Sequence, residues 1–135
     1  MDDFNIQQLI LETLQPIGIP VYFVSRKEVN PPLILFSVVG ERGREFWDNK
    51  ETVTEYKVTI NIFSRGNFLP YKNEVKKRME LAGFIRTDIP ECIYQEDVEL
   101  FNQPMFFSYF KENLWNKREV KIYVKNYRMW AITHC

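Results

Sequence analysis

The sequence is poor in the residues on which common catalytic and metal sites depend. Among its 135 residues there are one histidine and two cysteines, namely His134, Cys92 and Cys135. Two cysteines cannot build the disulfide framework of a small secreted domain. A structural zinc site needs four ligands, usually at tight paired spacings, and these three residues do not provide them. We therefore expect no metal site and no histidine base.

Net charge, long apolar runs and the common cofactor motifs are missing as well. Eighteen Lys and Arg balance eighteen Asp and Glu, so no strong overall field attracts nucleic acid or an anionic membrane. No apolar run approaches the roughly 20 residues of a membrane-spanning helix, and no charged-then-apolar leader opens the sequence. Glycine-rich phosphate loops and nucleophile elbows do not occur either. These absences predict a soluble, cytoplasmically made protein without a cofactor and without enzymatic activity.

The sequence is rich in hydrophobic and aromatic residues, and its length is that of a single domain. Hydrophobic residues make up 45% and aromatic residues 16%, which is too apolar for a disordered chain. Its length is that of one ordinary domain. No repeat or long linker divides it, so we expect a single domain over residues 1–110 and a basic, aromatic extension over 111–135.

The clearest local pattern is a strand followed by a helix. Over residues 52–64 apolar side chains take every second position: Tyr56, Val58, Ile60 and Ile62. Pro70 then suits a first helical turn, and apolar residues recur at spacings of three and four: Tyr71, Val75, Met79 and Ala82. Gly83 predicts a left-handed helix end with Phe84 folded back onto the last turn. The two apolar stripes are expected to pack on each other.

The remaining patterns complete an α+β prediction, a mainly antiparallel sheet with two helices packed on it. Asp2 or Asp3 is expected to cap a first helix that ends near Pro16. Strands are expected at 17–24, where Pro20 indicates a sheet edge or the first residues of a strand, and at 33–39 and 105–110. Residues 85–90 read as a linker or short strand, 91–99 are acidic, and 119–125 alternate as an exposed edge strand does.

A charged arm joins two of these strands. Residues 40–51 are expected to form a flexible, projecting connection with a hairpin tip at 48–50, which makes strands 33–39 and 52–63 antiparallel partners. Phe46 and Trp47 stand alone on this arm. Two such rings either anchor another surface or fold back onto their own sheet, and the sequence leaves both possibilities open.

Two patterns suggest contact with nucleic acid. Asp48 with Glu55 and Lys57 resembles the acidic set that holds a divalent metal in nucleases, although a salt-linked solvent face explains these residues equally well. Residues 111–128 carry six basic and two acidic residues, a net charge of +4, interleaved with aromatic rings. Such a tail can stack on bases, or it can dock on an acidic protein surface, which we favour.

The order of elements resembles that of the tail completion proteins of long-tailed bacteriophages, which are similar in fold to tail terminator proteins. The resemblance covers roughly residues 3–110. Three stretches carry it: Tyr56-Lys-Val-Thr-Ile-Asn-Ile-Phe-Ser64, Met79-Glu-Leu-Ala-Gly-Phe84, and the acidic Tyr94-Gln-Glu-Asp97 before an aromatic strand. Asn102-Gln-Pro104 stands where relatives carry a histidine, and the segment after Lys111 has no counterpart.

This resemblance implies a structural virion protein of the tail or neck, without catalysis, assembled in the host cytoplasm. It implies a ring, typically a hexamer, that contacts the tail tube protein and the head-to-tail connector proteins, with no membrane and no specific nucleic acid as partner. The interface residues it implies lie on the strand-joining arm: Arg42, Arg44, Phe46, Trp47, Asp48 and Lys50. The alternative function is a nucleic-acid-binding or metal-dependent nuclease α+β domain.

Overall fold

The computed structural model describes residues 4–24, 30–47 and 50–113. Two helices, α1 (Ile6–Leu14) and α2 (Leu69–Leu81), accompany a six-stranded sheet. The strands are β1 (Val21–Phe23), β2 (Leu33–Trp47), β3 (Lys50–Ser64), β4 (Ile85–Asp88), β5 (Ile93–Gln95) and β6 (Leu100–Glu112). The predicted α+β class is confirmed. No helix within the described ranges is long and apolar enough to cross a membrane.

The strands lie in the order β1-β2-β3-β6-β4, and β5 pairs with β6 beside β4. Only β1 runs parallel to its neighbour, while the other pairs are antiparallel. The predicted pairing of 33–39 with 52–63 is confirmed by a register that sets Ile34 opposite Ile62 and Val38 opposite Val58. β3 therefore lies at the centre of the sheet, between the two other long strands.

Both helices cover the same face of the sheet. Ile60 of β3 and Met105 of β6 are directly opposite each other and fully buried, and they share one core cluster with Val75 and Met79 of α2. α1 adds its own stripe of apolar residues at four-residue spacing: Ile6, Ile10 and Leu14. Burying one such side chain stabilises the fold by about 1.5–3 kcal/mol. The predicted strand–helix unit therefore forms a central part of the hydrophobic core.

The end of α2 follows the sequence prediction closely. Pro70 lies in the first turn, and Gly83 adopts a φ of 100° just beyond the C-cap residue Ala82. The Phe84 backbone N–H donates to the carbonyl oxygen of Met79 at 3.0 Å, and the Phe84 side chain is 2% exposed. This is the hydrogen bond that closes a helix through a left-handed glycine and returns the chain to the core.

The start of α1 differs from the prediction. Asn5, not Asp2 or Asp3, is the N-cap residue, and its Oδ1 accepts from the Gln8 N–H at 3.1 Å. Phe4 precedes this cap and stacks on Tyr109 with ring centroids 5.6 Å apart. Because Phe4 packs on the sheet, the helix begins at the next polar side chain that can accept from its first turn.

Four boundaries also differ. The strand predicted over 17–24 is limited to Val21–Phe23, and a short 3-10 helix, Gln15–Ile17, precedes it. The connection predicted as flexible over 40–51 is strand up to Trp47 and again from Lys50. The acidic stretch, residues 91–99, contains a short strand, β5, that its polar composition did not predict. β6 extends beyond 105–110 at both ends, from Leu100 to Glu112. Asp48 and the strand predicted at 119–125 lie outside the described residues.

Candidate protein interface on the β2–β3 arm

The arm consists of residues 40–47 of β2 and 50–55 of β3. Its strands pair from Gly40 opposite Lys57 to Trp47 opposite Lys50. The neighbouring strands do not follow it to its end, because β6 pairs with β3 only as far as Val53 and β1 pairs with β2 only at residues 34–36. The distal part of the arm is therefore a two-stranded ribbon that extends from the sheet.

Three irregularities interrupt the pairing of β2 with β3, one where the arm begins and two within it. They lie between Val38 and Gly40, between Gly43 and Glu45, and between Glu45 and Phe46. Bulges of this kind increase twist and make a strand edge a poor template for a further strand. The exposed charges of Arg42 and Arg44 on β2 have the same effect. Contacts made by the arm are thus expected to use side chains rather than added backbone pairing.

The tip of the arm carries two large exposed rings. Phe46 is 62% and Trp47 53% exposed. The Phe46 ring lies over Gly43, where a Cβ atom would come within 2.5 Å of Phe46 Cζ and 2.6 Å of Glu51 Oε1. Gly43 thus leaves the space that the ring occupies. One side of the ring rests on the ribbon while most of its surface faces solvent.

The base of the arm has a different character, since polar residues are buried there beside one buried apolar residue, Val53. The buried polar residues are Thr52, Thr54 and Glu55. Glu55 is 7% exposed; its Oε2 accepts from the Ser108 hydroxyl at 2.8 Å, and its Oε1 lies 3.5 Å from Arg44 Nε. One carboxylate therefore links β2, β3 and β6. A buried carboxylate needs such partners because burial without them is costly.

A second set of polar contacts fixes the far side of the base. The Asn113 side-chain amide donates to the Glu51 carbonyl oxygen at 3.1 Å and to the Thr54 hydroxyl at 2.9 Å. The Asn113 backbone N–H donates to the Thr52 carbonyl oxygen at 2.9 Å. The Thr54 hydroxyl in turn donates to the Glu51 carboxylate. The direction in which the arm leaves the sheet is thus determined by the residue that follows β6.

Five of the six interface residues implied by the resemblance lie within the described arm. Arg42, Phe46, Trp47 and Lys50 are exposed, with Trp47 and Lys50 opposite each other at its end. Arg44 also has an exposed side chain, 42% accessible, but its guanidinium is drawn to Glu55 at the base. The sixth, Asp48, lies outside the described residues.

Ser108, Asn113 and Gly43 were not identified from the sequence. Ser108 is the single small polar residue within the aromatic run 105–110, and this interruption is the signal in the sequence that could have identified it. Asn113 and Gly43 carried no comparable signal, because their roles depend on a partner strand distant in sequence or on a ring three residues away.

Glu55, the carboxylate of the nuclease hypothesis that lies within the described residues, is not an open ligand. Both oxygens of Glu55 are engaged, and Lys57 is exposed on the same strand. No group of three His, Cys, Asp or Glu side chains within the described ranges is placed to hold a metal ion. Cys92 is half-buried, and burial raises the pKa of its thiol; His134 and Cys135 lie outside these ranges.

Comparison with known proteins gives no family assignment. No protein-family model matches the sequence, and the search of curated proteins found no match. The likeness to phage tail completion proteins therefore stays a prediction from the sequence patterns. The arm remains the candidate site because it combines a hydrogen-bonded base with an exposed aromatic tip.

Proposed function

We propose that the protein is a structural virion protein of a long-tailed bacteriophage or prophage that completes or terminates the tail and joins it to the head. It acts by forming a ring, a hexamer in the predicted family, between the tail tube protein and the head-to-tail connector proteins. It is made in the host cytoplasm and remains in the tail or neck of the virion.

The observation that carries this proposal is the contrast along the arm. A ring subunit must stay soluble before assembly and then bind neighbours through surface that it already displays. Phe46 and Trp47 provide such surface at the end of a ribbon whose base is fixed by Glu55 and Asn113. An interface built this way gains affinity because its anchors are placed before binding.

The size of the tip is sufficient for this purpose. An aromatic side chain offers roughly 150–250 Å² of surface for burial. More than half of each ring is exposed in the single chain. At about 25 cal/mol per Å², burying this exposed surface in an interface contributes about 2–3 kcal/mol per ring. Repeated around a ring of copies, two anchors per subunit yield a substantial energy for binding the tail tube protein or the connector proteins.

The test is electron microscopy of particles produced without the protein and then supplied with variants. Without it, we expect filled heads and separate tails, and the wild-type chain restores joined virions. The double variant Phe46→Ala/Trp47→Ala is expected to fail in this restoration. Val39→Ala is the matched control, because Val39 is 61% exposed on the same strand but does not lie at the tip.

The two possible failures have different meanings. Normal joining by the double variant would remove the arm from the mechanism. Normal virions in the complete absence of the protein would overturn the proposed function itself.

A further inference from the structure

A concave surface lined by three cations lies between α2 and β4, at the sheet edge that β4 forms. We call it the basic groove. It encloses about 320 Å³ and is lined by Lys72, Lys76, Arg86, Thr87, Asp88 and Ile89. A second depression of about 470 Å³ continues it along α2; it shares Lys76 and ends at Leu81, which is 78% exposed.

The basic groove keeps a small net positive charge, because Glu80 and Asp88 offset only two of its three cations. Arg86 is paired with Glu80, with Nε and Oε2 3.5 Å apart, and Asp88 is the one carboxylate in the groove lining. Lys72 and Lys76 form no ion pair with any residue that the structure describes. Both are half-buried and line the groove, as lysines do when their aliphatic stems pack on the protein surface.

The same chain displays a surface of opposite charge. We call residues 96–99, the turn between β5 and β6, the acidic turn. Glu96, Asp97 and Glu99 are all exposed and have no ion-pair partner among residues 4–24, 30–47 and 50–113. Between them lies Val98, which is 42% exposed. The turn thus presents three carboxylates around one apolar side chain.

The shape of the acidic turn is fixed in the single chain. Glu99 adopts a φ of 53°, and Arg65 Nη1 donates to the carbonyl oxygen of Val98 at 3.4 Å. The following residue, Leu100, is buried at 3% exposure and begins β6. A projection held in this way loses little conformational freedom when it binds.

Within the described residues, the acidic turn forms no ion pair with the basic groove of its own chain. β4, which borders the groove, pairs with residues 106–108 of β6, whereas the turn precedes residue 100. At about 3.4 Å per residue, the turn and the β4 pairing are roughly 20 Å apart along β6. The unpaired lysines of the groove and the carboxylates of the turn are therefore available to a second copy.

We propose that the acidic turn of one copy docks in the basic groove of another copy. Charge complementarity selects the partner, Val98 meets the apolar residues Ile89 and Leu81, and the arm takes no part. The inference goes beyond the phage function and does not rest on it, since it follows from two complementary surfaces of one chain.

This contact is expected to depend on salt. Single exposed ion pairs contribute little, but several charges on facing surfaces steer association and act together. Their range falls from about 10 Å at 0.1 M salt to about 3 Å at 1 M. Self-association driven by the groove and the turn must therefore weaken strongly as salt is raised.

The experiment is sedimentation velocity of the full chain over a concentration series at low and high salt. We expect reversible self-association at low salt, weakened at least about tenfold at high salt. The groove variant Lys72→Glu/Lys76→Glu and the turn variant Glu96→Lys/Asp97→Lys are each expected to weaken association at least about tenfold. Lys57→Glu, an exposed reversal on β3, is the control and is expected to leave it unchanged.

Restoration decides whether the two surfaces meet each other. A chain carrying both reversals has a basic turn and an acidic groove, and it should associate as the wild type does. An equal mixture of the groove and turn variants should associate for the same reason. Carbodiimide coupling in a mixture of ¹⁴N and ¹⁵N wild-type protein should then join Lys76 to Asp97 between a light and a heavy peptide.

Several outcomes would overturn this proposal. They are a wild-type chain that stays monomeric at low salt, single reversals without effect, and a combined variant that is not restored. The arm variant Phe46→Ala/Trp47→Ala is expected to associate normally here while failing in head–tail joining, so a failure of one proposal is distinguishable from a failure of the other.

Discussion

The helix-covered body and the arm bury different kinds of side chain. In the body, Ile60 and Met79 are completely buried, and stability comes from apolar packing. In the arm, Thr54 and Glu55 are 3% and 7% exposed while Phe46 is 62% exposed. The residues that stabilise the fold are therefore different from those that the arm leaves exposed. The body keeps the chain folded, the polar base directs the arm, and the exposed rings are left available for binding.

The largest expected effect tests the body. Met79→Ala removes a completely buried side chain from α2 and is expected to lower the free energy of unfolding by about 2–5 kcal/mol. Leu81→Ala, on the same helix but 78% exposed, should change it by about 0.5 kcal/mol or less. Urea denaturation followed by circular dichroism measures both. Similar losses for the two variants would contradict the placement of α2 on the sheet.

The next effect tests the base of the arm. Glu55→Ala leaves the Ser108 hydroxyl and the Arg44 guanidinium without their shared partner, and we expect a loss of about 1–3 kcal/mol in unfolding free energy. Glu55→Gln keeps an acceptor for Ser108 and should cost less. Lys57→Ala, two residues along β3 and exposed, is the control for the strand itself.

A Glu55→Ala variant as stable as the wild type would show that the polar base does not hold the arm. The arm would then be a hairpin whose position does not depend on the polar contacts at its base.

The body could be predicted from the sequence because its evidence is local. The alternation around Val58 and the spacing of Val75 and Met79 each lie within one element, and a single buried face requires them. The end of α2 was equally readable, since Gly83 and Phe84 act on the turn directly before them. In these segments, propensity, periodicity and capping all favour the same structure.

The arm base could not be predicted because its contacts join distant residues. Ser108 meets Glu55 across 53 positions, and Asn113 meets Glu51 across 62. A polar residue in a strand looks the same in sequence whether it faces water or a partner strand. The charged residues between positions 40 and 47 therefore indicated a loop, although β2 remains paired with β3 through this segment.

A smaller effect tests the return of the chain from α2 to the core. Gly83→Ala places a Cβ atom at a φ of 100°, which costs about 1–2 kcal/mol in the left-handed region. Steric overlap adds little, because the nearest atom, in the Tyr109 ring, would be 3.6 Å away. Gly66→Ala, with nothing within 4 Å and no positive φ, is the matched control and should be close to neutral. Equal losses of unfolding free energy in the two variants would show that the left-handed conformation of Gly83 does not stabilise the end of α2.

The smallest expected change in stability belongs to the tip of the arm. Phe46→Ala/Trp47→Ala removes two large rings, yet both are more than half exposed, so the unfolding free energy should change by about 0.5 kcal/mol or less. Thermal and urea denaturation measure this, with Val39→Ala as the exposed apolar control. A loss of about 2 kcal/mol or more would mean that the rings fold back and stabilise their own sheet. An unchanged stability combined with lost head–tail joining would separate folding from binding in one variant, because only a surface that the fold does not need can be removed without unfolding it.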